Sequence, residues 1–189
     1  MRELFDFQAF PLLETERLIL RELTDADATV LFQYFSDPAY VRYLSFGLHT
    51  DVEQTQGFIN WTRTGYQQQE GIRWGLQWKL SDVLIGTAGL HFWKRDLRCA
   101  EVGYHVAPAW WGMGIASEVL RALVDFGFQR MNLNRIEGRH SAGNGVSGRV
   151  LLKCGFQKEG ILRQREVLAG RLVDVVQFSL LREEYDATR

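Results

Sequence analysis

The sequence predicts a mixed α/β layer fold on the basis of three observations. Segments with the alternation or composition of strands lie both before and after a helix that begins near Ile115, and further helical segments come early in the chain. At 189 residues, with 46% hydrophobic residues, the chain is long enough to bury one sizeable core. We therefore expect a single domain over residues 1–189, with residues 1–11 as a loosely tied N-terminal arm.

Alternation and helical spacing predict the remaining elements in order. The strands are expected at residues 16–23, 72–79, 83–92, 99–106, 135–140 and in two segments after Phe156 that turn near Ala169-Gly170. Helices are expected after Thr24-Asp25, after Asp37-Pro38, after Asp51, over residues 115–130 and over residues 146–154. Gly155 is expected to end the last of these helices in a left-handed conformation.

Composition excludes several classes of function. The net charge is −1, acidic and basic residues are interspersed, and no apolar stretch reaches membrane-spanning length, so neither nucleic acid nor a membrane is expected as a partner. No signal peptide is evident, and the two cysteines, Cys99 and Cys154, have no metal-ligand spacing. We therefore expect a cytoplasmic protein with reduced thiols and no metal.

Residues 101–118 form the most informative stretch of the chain. A strand reaches Val106, Pro108 ends it, and Gly112 and Gly114 lead directly into a helix. Such a turn presents unpaired N–H groups and the positive end of a helix dipole, which together favour an anion such as phosphate. The stretch lacks the lysine of a P-loop and the third glycine of a dinucleotide-binding turn. A purely structural strand-to-helix turn remains the alternative.

The run from Pro108 to Glu118 resembles the pyrophosphate-binding segment of the GCN5-related N-acetyltransferases (GNAT), and more narrowly the RimJ/RimL branch. Ala109 and Ile115 depart from the usual pattern, but neither change removes a backbone N–H. Residues 144–156 match the Asn-x-x-Ser and Lys-x-Gly-Phe elements of the same superfamily. Residues 14–21, 160–163 and 180–185 also match this branch, so the resemblance covers almost the whole chain.

The resemblance implies a GNAT-like fold with a mostly antiparallel central sheet, and transfer of acetyl from acetyl-CoA to an amine. It implies that backbone N–H groups of the glycine turn hold the pyrophosphate and that a splayed strand meets the pantetheine arm. The expected cofactor-binding residues are His105, Val106, Trp111, Gly112, Met113, Gly114, Ile115, Ala116, Asn144 and Ser147.

Three residues are candidates for catalysis. Glu101 matches the strand glutamate that serves as a base in many members of the superfamily, and His105 lies on the same side of the strand as a second candidate. A water chain is the third possibility for the base. Ser147, the serine of Asn-x-x-Ser, is expected to donate to the leaving thiolate. A surface salt bridge is the alternative role for Glu101, and helix capping is the alternative for Ser147 and Asn144.

The acceptor is the least determined part of the prediction. Four aromatic residues of the early helices are candidates for lining its pocket, although each is equally suited to the core: Tyr40, Tyr43, Phe46 and Trp61. The leading hypothesis is a protein N-terminal α-amine, and the alternative is a small amine such as a polyamine, an aminoglycoside or an amino compound. A non-catalytic acyl-CoA-binding module and an unrelated phosphate binder remain further alternatives. Family analogy favours a homodimer.

Overall fold

An eight-stranded sheet organises the computed structural model, which describes residues 6–44 and 46–188. The strands are β1 Leu13–Glu14, β2 Leu18–Arg21, β3 Ile72–Trp78, β4 Leu84–Lys94, β5 Cys99–Val106, β6 Arg135–Ser141, β7 Gln157–Leu168 and β8 Arg171–Leu181. Their spatial order in the sheet is β1-β2-β3-β4-β5-β6-β8-β7. β5 and β6 pair in parallel and the other neighbours pair antiparallel, which confirms the mixed, mostly antiparallel sheet.

Several of the helices begin at a residue whose side chain caps them. The helices are α1 Ala28–Phe35, α2 Pro38–Val41, α3 Val52–Gln67, α4 Ile115–Gln129, α5 Gly145–Lys153 and α6 Arg182–Ala187. The Asp51 carboxylate accepts from the Gln54 N–H at 2.9 Å at the start of α3, and the Asp37 carboxylate caps α2 in the same way. Gly155, with φ of 88°, follows α5 in the left-handed conformation that the sequence predicts.

The helices cover opposite faces of the sheet. α4 and α5 pack on one face, where Leu90 and Ile136 meet the α4 glycine Gly127. α1, α2 and α3 form a second apolar cluster on the other face, around Leu31, Phe35 and Ile59. Because side chains alternate along a strand, neighbouring positions of β4 and β5 serve these two sides in turn.

The parallel pair β5 and β6 separates part of the way along. The last registered pair is Val102 with Gly138, yet β5 continues to Val106 and β6 to Ser141. The splay that the family resemblance implies for the 99–106 strand is therefore present. It opens a gap between the two strands close to the glycine turn and to the start of α5.

Several elements differ from the sequence-based expectations. The sequence analysis missed β1 and α6, which are only two and six residues long. Residues 6–11 of the expected arm are held to the sheet: Phe7 is buried against Tyr66 and Trp93, and the indole of Trp74 donates to the Pro11 carbonyl at 2.7 Å. Residues 1–5 of that arm lie outside the described residues. None of the described helices has the length and apolar character of a membrane span.

Candidate active site

The glycine turn presents a row of free backbone N–H groups. Gly112 and Gly114 have φ of 77° and 78°, a left-handed conformation that glycine adopts at little cost, and α4 begins at Ile115. The N–H groups of residues 112–116 donate to no carbonyl or side chain within the described part of the chain. The Trp111 N–H instead donates to the Pro108 carbonyl at 3.1 Å. The predicted cradle therefore begins at Gly112, one residue later than expected.

Contacts from the connection between β1 and β2, which is distant in sequence, fix the shape of this turn. The Glu118 carboxylate, in the first turn of α4, accepts from the Thr15 hydroxyl at 2.6 Å and from the Arg17 Nε at 2.7 Å. Arg17 Nη1 also donates to the Met113 carbonyl at 2.9 Å. Partial burial by itself would raise the pKa of Glu118, but the hydrogen bonds from Thr15 and Arg17 outweigh that effect, so the pKa of this carboxyl is lowered. These contacts anchor both the glycine turn and the first turn of α4 to the connection between β1 and β2.

A cavity of about 350 Å³ lies against the turn. Its lining contains most of the expected cofactor-binding residues: His105, Val106, Trp111, Gly112, Gly114, Ile115, Ala116, Asn144 and Ser147. Met113 is exposed and outside this lining, so only its N–H belongs to the cradle. No atom lies within 4 Å of the position that a Cβ at Gly112 would take, so the backbone there is open to a ligand. A diphosphate linked to a long apolar arm fits this combination.

The end of β5 directs a further N–H into the gap between the strands. The Ala107 N–H donates to the Ile85 carbonyl on β4 at 2.8 Å, so alternation turns the N–H of Val106 toward the opposite, unpaired edge. The Val106 carbonyl points to the same edge, because it accepts from the Trp111 indole at 2.6 Å. By the same alternation the N–H of His105 faces β4. The edge geometry therefore favours Val106 over His105 as a backbone donor.

A second cavity, of about 220 Å³, adjoins the first and is called the outer cavity below. Aromatic side chains from the α1–α3 side form one wall: Tyr43, Phe46, Phe58 and Trp61. The sequence analysis named three of these, whereas Tyr40 is buried and lines the first cavity instead. Six residues line both cavities, namely Tyr43, Leu44, Tyr104, His105, Asn144 and Ser147. These residues mark the junction where two ligands would meet.

At this junction a tyrosine contacts the predicted serine. The Tyr104 hydroxyl lies 3.1 Å from the Ser147 hydroxyl, and the Asn144 Oδ1 caps α5 by accepting from the Ser147 N–H at 3.4 Å. Burial raises the pKa of Tyr104 to about 12, so its phenol stays protonated at neutral pH. The sequence analysis missed Tyr104, because its contact with α5 depends on how the helix packs on the sheet.

Glu101 lies in the second cavity, where it forms an ion pair with Arg139 on the neighbouring strand β6. The Arg139 Nε donates to Glu101 Oε1 at 2.9 Å. Burial raises the pKa of Glu101, and the Arg139 guanidinium only partly offsets that effect. Glu101 is absent from the lining of the first cavity, and it lies four residues from His105, about 13 Å of strand at roughly 3.3 Å per residue.

His105 stands at the junction without a hydrogen bond to its Nδ1 atom from any described residue. Burial and the charge of Arg73 hold the pKa of His105 well below its usual value, so the imidazole is neutral at pH 7. Arg73 itself is a buried residue of the second cavity that the sequence analysis did not identify. Among the residues described, no cluster of three or more metal-ligating side chains occurs.

Comparison with known proteins identifies the family. A model of the acetyltransferase (GNAT) domain matches residues 17–157, most of the chain. The protein belongs to the GNAT family and is an acetyl-CoA-dependent N-acetyltransferase, as its fold and its glycine-turn cavity indicate.

Individual relatives span nearly the whole chain. The N-acetyltransferase YoaA of Bacillus subtilis is 41% identical over 173 residues, which cover 92% of this chain and 98% of YoaA. The [ribosomal protein uS5]-alanine N-acetyltransferase of Escherichia coli is 25% identical over 185 residues, 94% of each chain. The structure of a GNAT-family acetyltransferase from Bacillus anthracis superposes with a TM-score of 0.81 at 25% identity, covering 92% of this chain and 99% of that one.

Proposed function

We propose that this enzyme acetylates a primary amine by direct attack on acetyl-CoA, with a protein N-terminal α-amine as the acceptor class. The observation that carries the proposal is the junction of two cavities at Tyr104, His105 and Ser147. One cavity has the free N–H groups suited to a diphosphate, and the other has an aromatic wall and ionisable groups suited to an acceptor. Similarity to the ribosomal-protein alanine N-acetyltransferase supports the α-amine.

Acetyl-CoA supplies the acetyl thioester, and the protein's residues hold and polarise it. The N–H groups of residues 112–116 bind the diphosphate oxygens with help from the α4 dipole. The Val106 N–H, which faces the gap between β5 and β6, donates to the thioester arm or carbonyl. A fixed N–H at this position stabilises negative charge as it develops on the carbonyl oxygen.

We assign the role of general base to His105. Attack forms an N–C bond and breaks the C–S bond, so the amine must lose a proton as the thiolate gains one. His105 lies at the junction of the two cavities, and its Nδ1 has no hydrogen-bond partner among the described residues, whereas Glu101 lines only the second cavity and pairs with Arg139. In this assignment Glu101 does not touch the reacting atoms but pairs with Arg139 and contributes to the charge of the outer cavity. A role for Glu101 as the base itself is the alternative that direct comparison of variants tests.

The leaving thiolate receives a hydrogen bond from Ser147. The Ser147 hydroxyl is oriented by the protonated Tyr104 phenol, 3.1 Å away, and its own backbone N–H is fixed by Asn144. The amine gives one proton to His105 and the leaving thiolate takes up one proton, so return of the proton from His105 to the thiolate or to solvent restores the charge of the protein after each turnover. The capping role of Asn144 is compatible with contact to the cofactor.

A small amine is the second candidate acceptor. The outer cavity of about 220 Å³ is the size of a small molecule, and a peptide would have to extend out of it past Trp61. A non-catalytic acyl-CoA-binding module is the third reading, and it predicts binding without turnover.

Thiol release from acetyl-CoA across N-terminal peptides, polyamines, aminoglycosides and amino acids tests the proposal. Turnover with peptides supports the leading acceptor class, and turnover restricted to one small-amine class replaces it. Ser147→Ala serves as a matched variant that retains the glycine turn. Stabilisation by CoA without turnover on any acceptor would instead indicate a binding module.

We further propose a cytoplasmic location and a homodimer. Cys99 and Cys154 are free cysteines, which suits a reducing compartment. β7 pairs with β8 along one side and carries exposed apolar residues such as Ile161 and Val167, a surface suited to a second copy. Sedimentation of the purified protein at several concentrations tests the oligomeric state.

A further inference from the structure

Arg73 is a buried cation with no carboxylate partner among the described residues. Its side chain is only 6% exposed. Nη1 donates to the Thr87 hydroxyl at 2.8 Å, Nη2 donates to His91 Nε2 at 2.6 Å, and Nε has no partner within the described part of the chain. Arginine is rarely buried without an acidic partner, because an unpaired charge in a low-dielectric site costs several kcal/mol. Burial accordingly lowers the pKa of Arg73 to about 10.

The register of the sheet explains how the Arg73 side chain reaches the outer cavity. Arg73 on β3 is registered with Gly89 on β4, and Gly89 is registered with Gly103 on β5. Two glycines in one row leave room for the long side chain to lie across the sheet. A Cβ at Gly103 would lie 3.3 Å from Arg73 Nη2. Gly103 and Arg73 both line the outer cavity, so the missing side chain leaves the guanidinium accessible from it.

The other charges of this cavity do not neutralise Arg73. His91 and His105 are neutral, because burial first and the Arg73 charge second hold the pKa of each well below its usual value. Glu101 is already paired with Arg139. Glu166, on β7, is half-buried and retains contact with water. Arg73 is therefore the deeply buried charge of the lining, and it lacks a counter-charge among the residues described.

We propose that the acceptor amine carries a carboxylate that binds the Arg73 guanidinium from the outer cavity. This inference rests on the proposed acetyltransferase function and names the chemical class of its acceptor. A planar guanidinium donates to a carboxylate through two parallel N–H groups, which gives both affinity and orientation. The Phe58 ring, whose centroid lies 5.7 Å from Arg73 Cζ, covers one side of the guanidinium and strengthens the pair by shielding that side from water. A polycation would place a like charge against a buried arginine, so polyamines are excluded as preferred acceptors.

The carboxylate has two possible sources, which the experiment separates. One is the main-chain carboxylate of a free amino acid, and the other is the acidic side chain of an N-terminal residue in a peptide. The first arm compares L-alanine with L-alaninamide at equal concentrations of free amine. The second arm compares a tripeptide that begins with aspartate with its asparagine counterpart. The ratio of kcat/KM, carboxylate over amide, is the measured quantity in each arm.

We expect this ratio to exceed about tenfold in at least one arm, as for a hydrogen-bonded charge pair. Arg73→Gln should bring the ratio close to one while turnover of the amide persists. Arg73→Lys, which keeps the charge but loses the planar fork, should lower the ratio without abolishing it and serves if the glutamine variant does not fold. Arg63→Gln removes a half-buried arginine that pairs with Asp25 outside the cavity, and it should leave the ratio unchanged.

Equal rates for carboxylate and amide in both arms, or a ratio that survives in Arg73→Gln, would overturn the proposal. A binding measurement separates this failure from failure of the proposed function. Calorimetry of the CoA-saturated protein with N-acetyl-L-alanine and with N-acetyl-L-alaninamide reads the same preference without turnover. Preference for the carboxylate that depends on Arg73 supports the site even if no acceptor is acetylated, and absence of preference there counts against it.

Discussion

The hydroxyl of Tyr104 lies 3.1 Å from the hydroxyl of Ser147, at the point where the two cavities meet. The contact joins β5 to the first turn of α5, so it forms only when the helix packs across the splayed strands. It gives Ser147 a protonated neighbour in a buried setting, because the pKa of Tyr104 is raised to about 12. The pair is suited to orient one hydrogen bond toward a leaving thiolate.

Ser147→Ala should therefore lower kcat by about a hundredfold, the lower end of the range for loss of a positioned proton donor. Tyr104→Phe should lower kcat less, since it removes only the partner that orients the serine. CoA affinity should change little in either variant, because the N–H groups of residues 112–116 remain. Steady-state kinetics and calorimetry with CoA measure the two effects separately. A large loss of CoA affinity with unchanged kcat would contradict the assigned role.

The positive φ of Gly114 makes a second prediction possible. Gly114→Val should weaken CoA binding by about tenfold or more, because a β-branched residue at this φ costs on the order of 1–3 kcal/mol or shifts the start of α4. Gly160→Val is the matched control: Gly160 lies in β7, and no atom is within 4 Å of its Cβ position. If calorimetry gives the same CoA affinity for both variants, the diphosphate does not bind at this turn.

The two candidate bases predict different kinetics. If His105 is the base, His105→Gln should lower kcat by about 10²- to 10⁴-fold, and Glu101→Gln should have the smaller effect, mainly on KM for the acceptor. The pH dependence of kcat should change in the first variant and persist in the second. If Glu101→Gln instead loses the acidic limb of the pH dependence of kcat, and His105→Gln keeps most of the wild-type kcat, then Glu101 is the general base.

Much of the fold could be predicted from local patterns. Alternation in residues 72–79 and capping by Asp51 are local signals, and both elements formed where they were expected. β1 and α6 are too short for periodicity to reveal them. The glycine turn could be recognised because Gly112 and Gly114 stand directly between a strand and the start of a helix in the sequence.

The acceptor side of the site could not be predicted in this way. Arg73 lies thirty residues from Gly103 in sequence, and their proximity follows from strand order and register, which no local pattern encodes. Arg139 meets Glu101 for the same reason, across the parallel pair β5 and β6. The sequence of β3 alternates between apolar and polar residues and so places Arg73 on the polar face, whereas the first five positions of the strand, on both faces, are buried in the structure.

Burial of His91 predicts that stability falls in mild acid. Burial first, and the Arg73 charge second, depress the pKa of His91 in the folded state, whereas the unfolded chain titrates near 6.5. Below that pH the unfolded state binds more protons than the folded state, so the free energy of unfolding decreases as the pH falls from 6.5. Each such histidine contributes at most about 1.4 kcal/mol per pH unit. His91→Gln should therefore show a shallower loss of melting temperature between pH 7 and 5 than the wild type. A parallel decline in both proteins would mean that His91 takes up its proton in the folded state.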